Sequence, residues 1–184
     1  MVKKLFIIAF FCFGGSILPV EAQLYTAKNS EVDFFSKTPI EDIKALNTKS
    51  SSIINTANGE IVVKIPVDQF QFSNKLMQQH FNENYLESEK YPYATFKGKI
   101  NEVINFTKTG VYEVSASGIL NIHGVNQERT IKGSLTVGDG IINLNSKFDV
   151  LLIDHKIDIP KLVFKKIAEK IAVSARVTYI LSKK

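Results

Sequence analysis

Three histidines and the acidic residues near them are the side chains that could carry acid–base or metal chemistry. His80 is followed by Glu83, and a helix would put both on one side, where they could share a metal ion. His155 lies between Asp154 and Asp158, which offers the same donor types. A core histidine with one hydrogen bond is the commoner role for His80, and turn chemistry is the commoner role for aspartate-rich loops. We therefore expect no catalytic residue, no metal and no cofactor.

Other catalytic motifs are missing from the sequence. It contains no G-x-S-x-G elbow, no phosphate-binding glycine loop and no H-E-x-x-H helix. The third histidine, His123, precedes Gly124 in a predicted turn, where it is expected to bond backbone groups. A secreted hydrolase or metal-dependent enzyme remains an alternative, and it requires His80, His155 and nearby acids to converge in one cleft.

Residues 1–22 have the features of a signal peptide. Lys3 and Lys4 precede a short apolar run, and Val20-Glu21-Ala22 supplies small residues before a cleavage point. Cleavage after Ala22 would leave residues 23–184 as one domain, in the periplasm or secreted. An uncleaved membrane anchor is the alternative, but glycines and a proline interrupt the apolar run. Cys12 is the only cysteine, so the mature chain would have no disulfide and would depend on its core.

The charge is modestly positive and mostly dispersed. The formal net charge is +5, and no run of basic residues resembles a nucleic-acid-binding arm, so we expect no nucleic-acid partner. A basic excess lies near the C-terminus, at Lys161, Lys165, Lys166, Lys170, Lys183 and Lys184. Two interpretations stay open for it: a solvated face, or a surface for transient contact with an anionic membrane or a phosphorylated head group.

After residue 32 the sequence alternates apolar and polar residues with the period of two that β-strands have. Tight turns separate the runs, and strands joined by tight turns pair antiparallel. About eight strands with one wet face indicate an all-β fold, which we predict to be an antiparallel lipocalin-like β-barrel with one or two short helices. Residues 39–47 are predicted as a turn or short helix, and residues 160–170 as a second helix. The alternative is a solid β-sandwich that serves as an envelope adhesion or assembly partner.

Small residues recur near the middle of the predicted inward faces. A solid barrel would fill its centre with large aliphatic side chains, so this pattern favours an open, apolar interior. Small residues can also relieve crowding at bends. The residues predicted to form the cavity wall are Phe96, Gly98, Ala116, Gly118, Leu120, Gly133 and Phe148.

An amphipathic segment between residues 73 and 86 predicts a helix, with Ser73 as its N-cap. Its apolar face mixes a flexible methionine with side chains that carry polar tips, which suits a lid better than a core pillar. The residues predicted to contact a ligand from the lid are Phe72, Leu76, Met77, His80, Phe81 and Tyr85.

From about Val32 to the C-terminus, the sequence resembles the YceI-like family of secreted bacterial lipid-binding proteins. The matching motifs are F-x-F before the helix, L-M-x-x-H-F-N-E-x-Y-L-E-S, K-Y-P-x-A-T-F, and G-x-L-x-I-H-G-V at residues 118–125. The resemblance implies non-covalent binding of a polyisoprenoid or fatty-acyl lipid inside the barrel. Burial of such a tail contributes about 0.8 kcal/mol per methylene group. The segment FFSKTPIEDIKALN differs from the opening of better-known members, which leaves the head group open.

Overall fold

The computed structural model describes residues 23–159 and 167–182. Three predicted features lie outside these residues: the signal peptide, residues 160–166 of the second helix, and most of the C-terminal lysine cluster. The described residues form ten β-strands: β1 (Leu24–Lys37), β2 (Asp42–Asn47), β3 (Ser51–Asn55), β4 (Glu60–Pro66), β5 (Gln71–Phe72), β6 (Tyr93–Ile100), β7 (Gly110–Ile122), β8 (Val125–Gly138), β9 (Ile141–Leu151) and β10 (Lys170–Leu181).

The sheet closes on itself as an antiparallel barrel. Strand β1 pairs with β10 from Tyr25–Leu181 to Phe35–Ala172, and the ring runs β1-β10-β9-β8-β7-β6-β4-β3 and back to β1. The eight strands of this ring confirm the predicted barrel. A closed sheet has no second layer to pack against, so the sandwich alternative is wrong.

Local sequence explains the hairpins. Strands β3 and β4 are joined through Asn58-Gly59, and Gly59 has a φ of +75°, a conformation that glycine adopts without a steric penalty. In β7, β8, β9 and β10 the inward residues alternate with outward residues that are mostly polar, as the period of two in the sequence predicts.

Strand β2 corrects the prediction of a turn or short helix over residues 39–47. Lysine, alanine and leucine in this segment favour helix, but Ala45 and Asn47 are buried in alternation with exposed neighbours. The segment pairs with β1 from Val32–Asn47 to Lys37–Asp42. Tertiary pairing with a free strand edge therefore outweighs local helix propensity.

The predicted helix forms as a short element between β5 and β6. Its α-helical part, α1, spans Lys75–His80, and a π-helical turn continues it over Phe81–Tyr85. The N-cap is Asn74 and not Ser73, because the Asn74 side-chain oxygen accepts hydrogen bonds from the backbone of Leu76 (2.8 Å) and Met77 (3.3 Å). In the described ranges, no helix has the length and apolar character needed to cross a membrane.

One end of the barrel is solid. We call this end the floor; its buried side chains are Tyr25, Ile54, Val137, Ile142 and Tyr179. The Tyr179 hydroxyl lies 2.7 Å from Ser52 Oγ, and Ser52 donates to the Val62 carbonyl at 2.9 Å, so Tyr179 donates to Ser52. Burial raises the pKa of Tyr179, which keeps this phenol neutral inside the core.

Strands β6 and β7 approach each other closely at a pair of glycines. Gly98 is opposite Gly118 in the register. A Cβ atom on Gly118 would collide with the Lys97 carbonyl oxygen and the Gly98 Cα, and one on Gly98 would lie 2.7 Å from the ring of Phe96 and from the Ser117 carbonyl oxygen. These glycines allow backbone approach and do not create interior volume.

We predict that Gly118→Ala destabilises the protein by about 1–3 kcal/mol, because the methyl group has no space between the two backbones. Gly110→Ala is the matched control on the same strand: a Cβ there meets only the Tyr112 ring at an ordinary 3.6 Å. Chemical denaturation measures both. Equal stability of the two variants would contradict the close approach.

Candidate functional site

A cavity of about 520 Å³ occupies the barrel between the floor and the helix. Its wall is built from the inward residues of the barrel strands and is almost entirely aliphatic and aromatic. A volume of roughly 300–1,000 Å³ is typical of small-molecule sites. The space therefore suits an apolar ligand that enters from the end opposite the floor.

A layer of small side chains widens the middle of the cavity. Gly133 is opposite Ser146 in the register, and Ser146 is opposite Ala175; all three line the cavity. The Ser146 hydroxyl donates to the Lys132 carbonyl at 2.7 Å, so its hydrogen is used within the wall. The small residues at this level leave room without adding an unpaired polar group.

An aromatic cluster of Phe34, Phe70, Phe72 and Phe81 holds the lid, which we define as residues 75–85, on the barrel. Phe81 stacks on Phe34 with ring centroids 5.4 Å apart and an interplanar angle of 24°. The rings of Phe70 and Phe72 lie 5.6 Å and 5.0 Å from Phe81. No residue of α1 is fully buried, so this cluster supplies much of the apolar contact that fixes the lid.

The far end of the lid is tied to two loops through His123. Glu87, just after the π-helical turn, places a carboxylate oxygen 2.7 Å from His123 Nε2. His123 Nδ1 lies 3.2 Å from the His155 carbonyl oxygen, and the Tyr91 ring packs edge-on against the imidazole at 4.6 Å. The lid is thus held within its length by Phe81 and just after its end by Glu87.

A few polar side chains reach the cavity near the lid, among them Glu41, Asn74, His80 and Tyr85. Burial raises the pKa of the Tyr85 phenol, which favours its neutral form. Across residues 23–159 and 167–182, no three His, Cys, Asp or Glu side chains gather closely enough to hold a metal ion. His80 lines the cavity, whereas His155 is fully buried and does not line it, so these two histidines do not share the cavity as the enzyme alternative requires.

The sequence model of the YceI-like domain matches residues 25–179, which is most of the chain. The chain belongs to the YceI-like domain family. A comparison with curated protein sequences finds no match.

Solved structures share this YceI-like barrel at low sequence identity. A polyisoprenoid-binding domain from Saccharophagus degradans, implicated in plant cell wall breakdown, superposes with a TM-score of 0.74 at 16% identity, over 86% of this chain and 98% of that one. BcnA of Burkholderia cenocepacia gives 0.68 at 16% identity, over 81% and 95%. A Campylobacter jejuni YceI protein gives 0.58 at 16% identity, over 74% and 82%.

The structure of this YceI-like chain brings most of the predicted site residues together. Gly98 and Gly118 are not on the cavity wall, because they lie where β6 and β7 approach each other. The other predicted residues do line the cavity, and their contact with a ligand stays a prediction: Phe72, Leu76, Met77, His80, Phe81, Tyr85, Phe96, Ala116, Leu120, Gly133 and Phe148.

Part of the YceI-like cavity wall was missed by the sequence analysis. Val32, Phe34 and Ile43 line it from β1 and β2, and Leu152 and Ile157 line it from the connection after β9. The alternation of Val32 and Phe34 was a signal for the first group. The second group lies in irregular chain, for which periodicity carries no information.

A pH effect is expected from His155, which is fully buried with Nδ1 3.3 Å from the Val125 carbonyl oxygen. Burial lowers the pKa of His155 below its ordinary value of about 6.5. The unfolded chain then binds more protons than the folded one below that value, so stability falls as the pH drops through 6.5. The melting temperature of His155→Gln should fall less between pH 7 and pH 5 than that of wild type. If the melting temperatures of the two proteins fall by the same amount, His155 does not contribute to the pH dependence of stability.

Proposed function

We propose that the protein binds a long apolar lipid tail, polyisoprenoid or fatty-acyl, without covalent chemistry, and sequesters or carries it. One observation carries the proposal: an apolar cavity of about 520 Å³ that lies between a solid floor and a lid. The polyisoprenoid-binding domain that shares the fold supports the choice of ligand class. The lining offers few polar groups, which suits binding better than catalysis.

The energy of such binding comes from removing the tail from water. Each buried methylene group contributes about 0.8 kcal/mol, so a tail of a dozen carbons gives roughly 10 kcal/mol before the costs of association, which are about 4–15 kcal/mol. A pre-formed cavity keeps the conformational part of those costs low. At the lower end of that range of costs, the balance favours binding without any strong polar contact.

We further propose that the protein works in the periplasm or after secretion, since residues 1–22 read as a signal peptide. N-terminal sequencing of the exported protein should give Gln23 as the first residue. Retention of Met1 in a membrane fraction would contradict it.

The lysine-rich C-terminal region supports a transient contact with anionic membrane, which co-sedimentation with anionic and neutral vesicles tests.

Native mass spectrometry of protein purified from its own cells tests the function directly. A carrier should retain a mass of lipid size that organic solvent removes. A bare chain that also takes up no added fatty acid would overturn the proposal, and a bound metal would revive the enzyme alternative.

Met77 offers a sharper test, because it is half-buried on the lid and lines the cavity. We expect Met77→Ala to weaken binding of a twelve-carbon fatty acid about tenfold, through lost apolar contact, while stability changes by less than about 1 kcal/mol. Gln79→Ala, at an exposed position on the same helix that does not line the cavity, is the control. Lost stability with unchanged affinity would make Met77 an ordinary core residue.

A further inference from the structure

We propose that His123 carries a proton on both ring nitrogens when the lid is closed, and that this charge makes the attachment of the lid to the barrel depend on pH. His123 and Glu87 are then positioning residues: neither lines the cavity, but their bond sets how easily the lid moves. The consequence for ligand release rests on the proposed function, whereas the protonation state does not.

The two hydrogen-bond partners of the His123 imidazole are both acceptors. Its Nε2 atom lies 2.7 Å from a carboxylate oxygen of Glu87, and its Nδ1 atom lies 3.2 Å from the backbone carbonyl oxygen of His155. A neutral imidazole has one N–H and can donate to only one of them, whereas the doubly protonated ring donates to both. Because imidazole is a stronger base than a carboxylate, the proton between His123 and Glu87 belongs to the ring.

The surroundings of the ring favour this charged form. The His123 side chain is only 12% exposed, so water is a poor substitute for a lost partner. Three further titratable residues lie beside the pair. Lys90 is exposed and 4.0 Å from the Glu87 carboxylate, and Tyr91 packs its ring against the imidazole. Burial lowers the pKa of His155, so that residue is neutral near pH 7 and adds no competing positive charge.

The backbone at both residues indicates that the bond between them is more than a product of local turn geometry. His123 (φ +53°) and Gly124 (φ +72°) join β7 to β8, and a two-residue turn with positive φ at both positions favours asparagine, aspartate or glycine at the first. Glu87 (φ +44°) follows the helical C-cap Leu86, at a position that glycine usually occupies. Neither residue type is the usual choice for its conformation, and the bond between the two side chains accounts for both.

Glu87 passes the effect of this bond to the lid. On one side of it, the Leu86 backbone donates to the Phe81 carbonyl at 2.9 Å, and on the other the Ser88 backbone donates to the Asn82 carbonyl at 2.8 Å. When the ring loses its second proton, it gives up either the bond to Glu87 or the bond to the carbonyl, and the ion pair is lost in both cases. The aromatic cluster remains, so the lid loosens without detaching.

The expected pH dependence has a definite sign. Histidine is the side chain that changes charge between about pH 5 and pH 8, so the attachment is complete at the lower end of this range and weakens as the pH rises. The stability effect expected of His155 has the opposite sign, since it appears as the pH falls. A looser lid lets a ligand leave sooner, and release should therefore be faster at high pH.

The protonation state can be measured on the wild-type protein without any ligand. Long-range ¹H–¹⁵N NMR correlation shows whether each ring nitrogen of His123 carries a hydrogen. We expect two N–H groups at about pH 5.5 and one at about pH 8.5. A ring that is singly protonated at pH 5.5 would overturn the proposal.

The effect on the lid is measured as the rate at which pyrene-labelled dodecanol, which has no titratable group, leaves the protein for an excess of phosphatidylcholine vesicles. We expect the wild-type rate to rise about fivefold from pH 5.5 to pH 8.5, as fits a partly exposed ion pair. Glu87→Gln should be slow at both values, because an amide can donate to a neutral ring or accept from a charged one. His123→Asn, which suits the turn, should be fast at both.

Glu83→Gln is the matched control. It removes a carboxylate from an exposed position on the lid, where Glu83 accepts from Gln79 at 3.0 Å, and it should keep the wild-type pH dependence. His155 is present in wild type and in Glu87→Gln, so a difference between these two proteins does not come from it. If His123→Asn does not fold, Glu87→Gln carries the test alone.

The outcomes separate the two proposals. A wild-type release rate that does not change with pH, a Glu87→Gln protein that keeps the pH dependence, or a Glu83→Gln protein that loses it would overturn the role of the pair while leaving lipid binding intact. If the wild-type protein binds neither the pyrene probe nor an unlabelled fatty acid, the proposed function is overturned, and the NMR measurement still decides the protonation state of His123.

Discussion

The pairing of β1 with β10 is the contact on which the rest of the structure depends. It converts an open sheet, with two unpaired edges, into a closed barrel. Strand β1 also connects the parts of the cavity, because Tyr25 belongs to the floor, Val32 to the wall, and Phe34 to the cluster that holds the lid. Loss of this one ladder would open the interior and release the lid together.

The second edge of β1 is divided between two partners, and the division creates the entrance region. Residues 24–26 pair with β3, whereas residues 32–37 pair with β2. Asn47, which is fully buried, holds the point of separation: its amide donates to the Pro66 carbonyl at 2.8 Å, and its oxygen accepts from the Lys49 backbone at 2.8 Å. The segment that carries the lid leaves the barrel at this point, after β4.

Alternation in the sequence was enough to predict the barrel, most strand positions and the inward faces, since each strand buries one side. It was not enough for β2, where helix-favouring residues hid a period of two. Gly118 shows another limit: its face was predicted, but the distance between β6 and β7 depends on the twist of the whole sheet. Val177 and Tyr179 both belong to the inward set of β10. The alternating pattern therefore does not show that the cavity ends between them.

The two ends of the folded chain lie together at the closed end of the barrel. Tyr25 is paired with Leu181, and the Ser182 backbone donates to the Leu24 carbonyl at 2.8 Å. A fusion partner or surface tether joined directly before Leu24 or directly after Ser182 would therefore sit beneath the floor and leave the lid free. The protein could be immobilised or displayed through these two points with the cavity entrance, opposite the floor, facing solution. An insertion in the turn after β1 would instead lie beside that entrance.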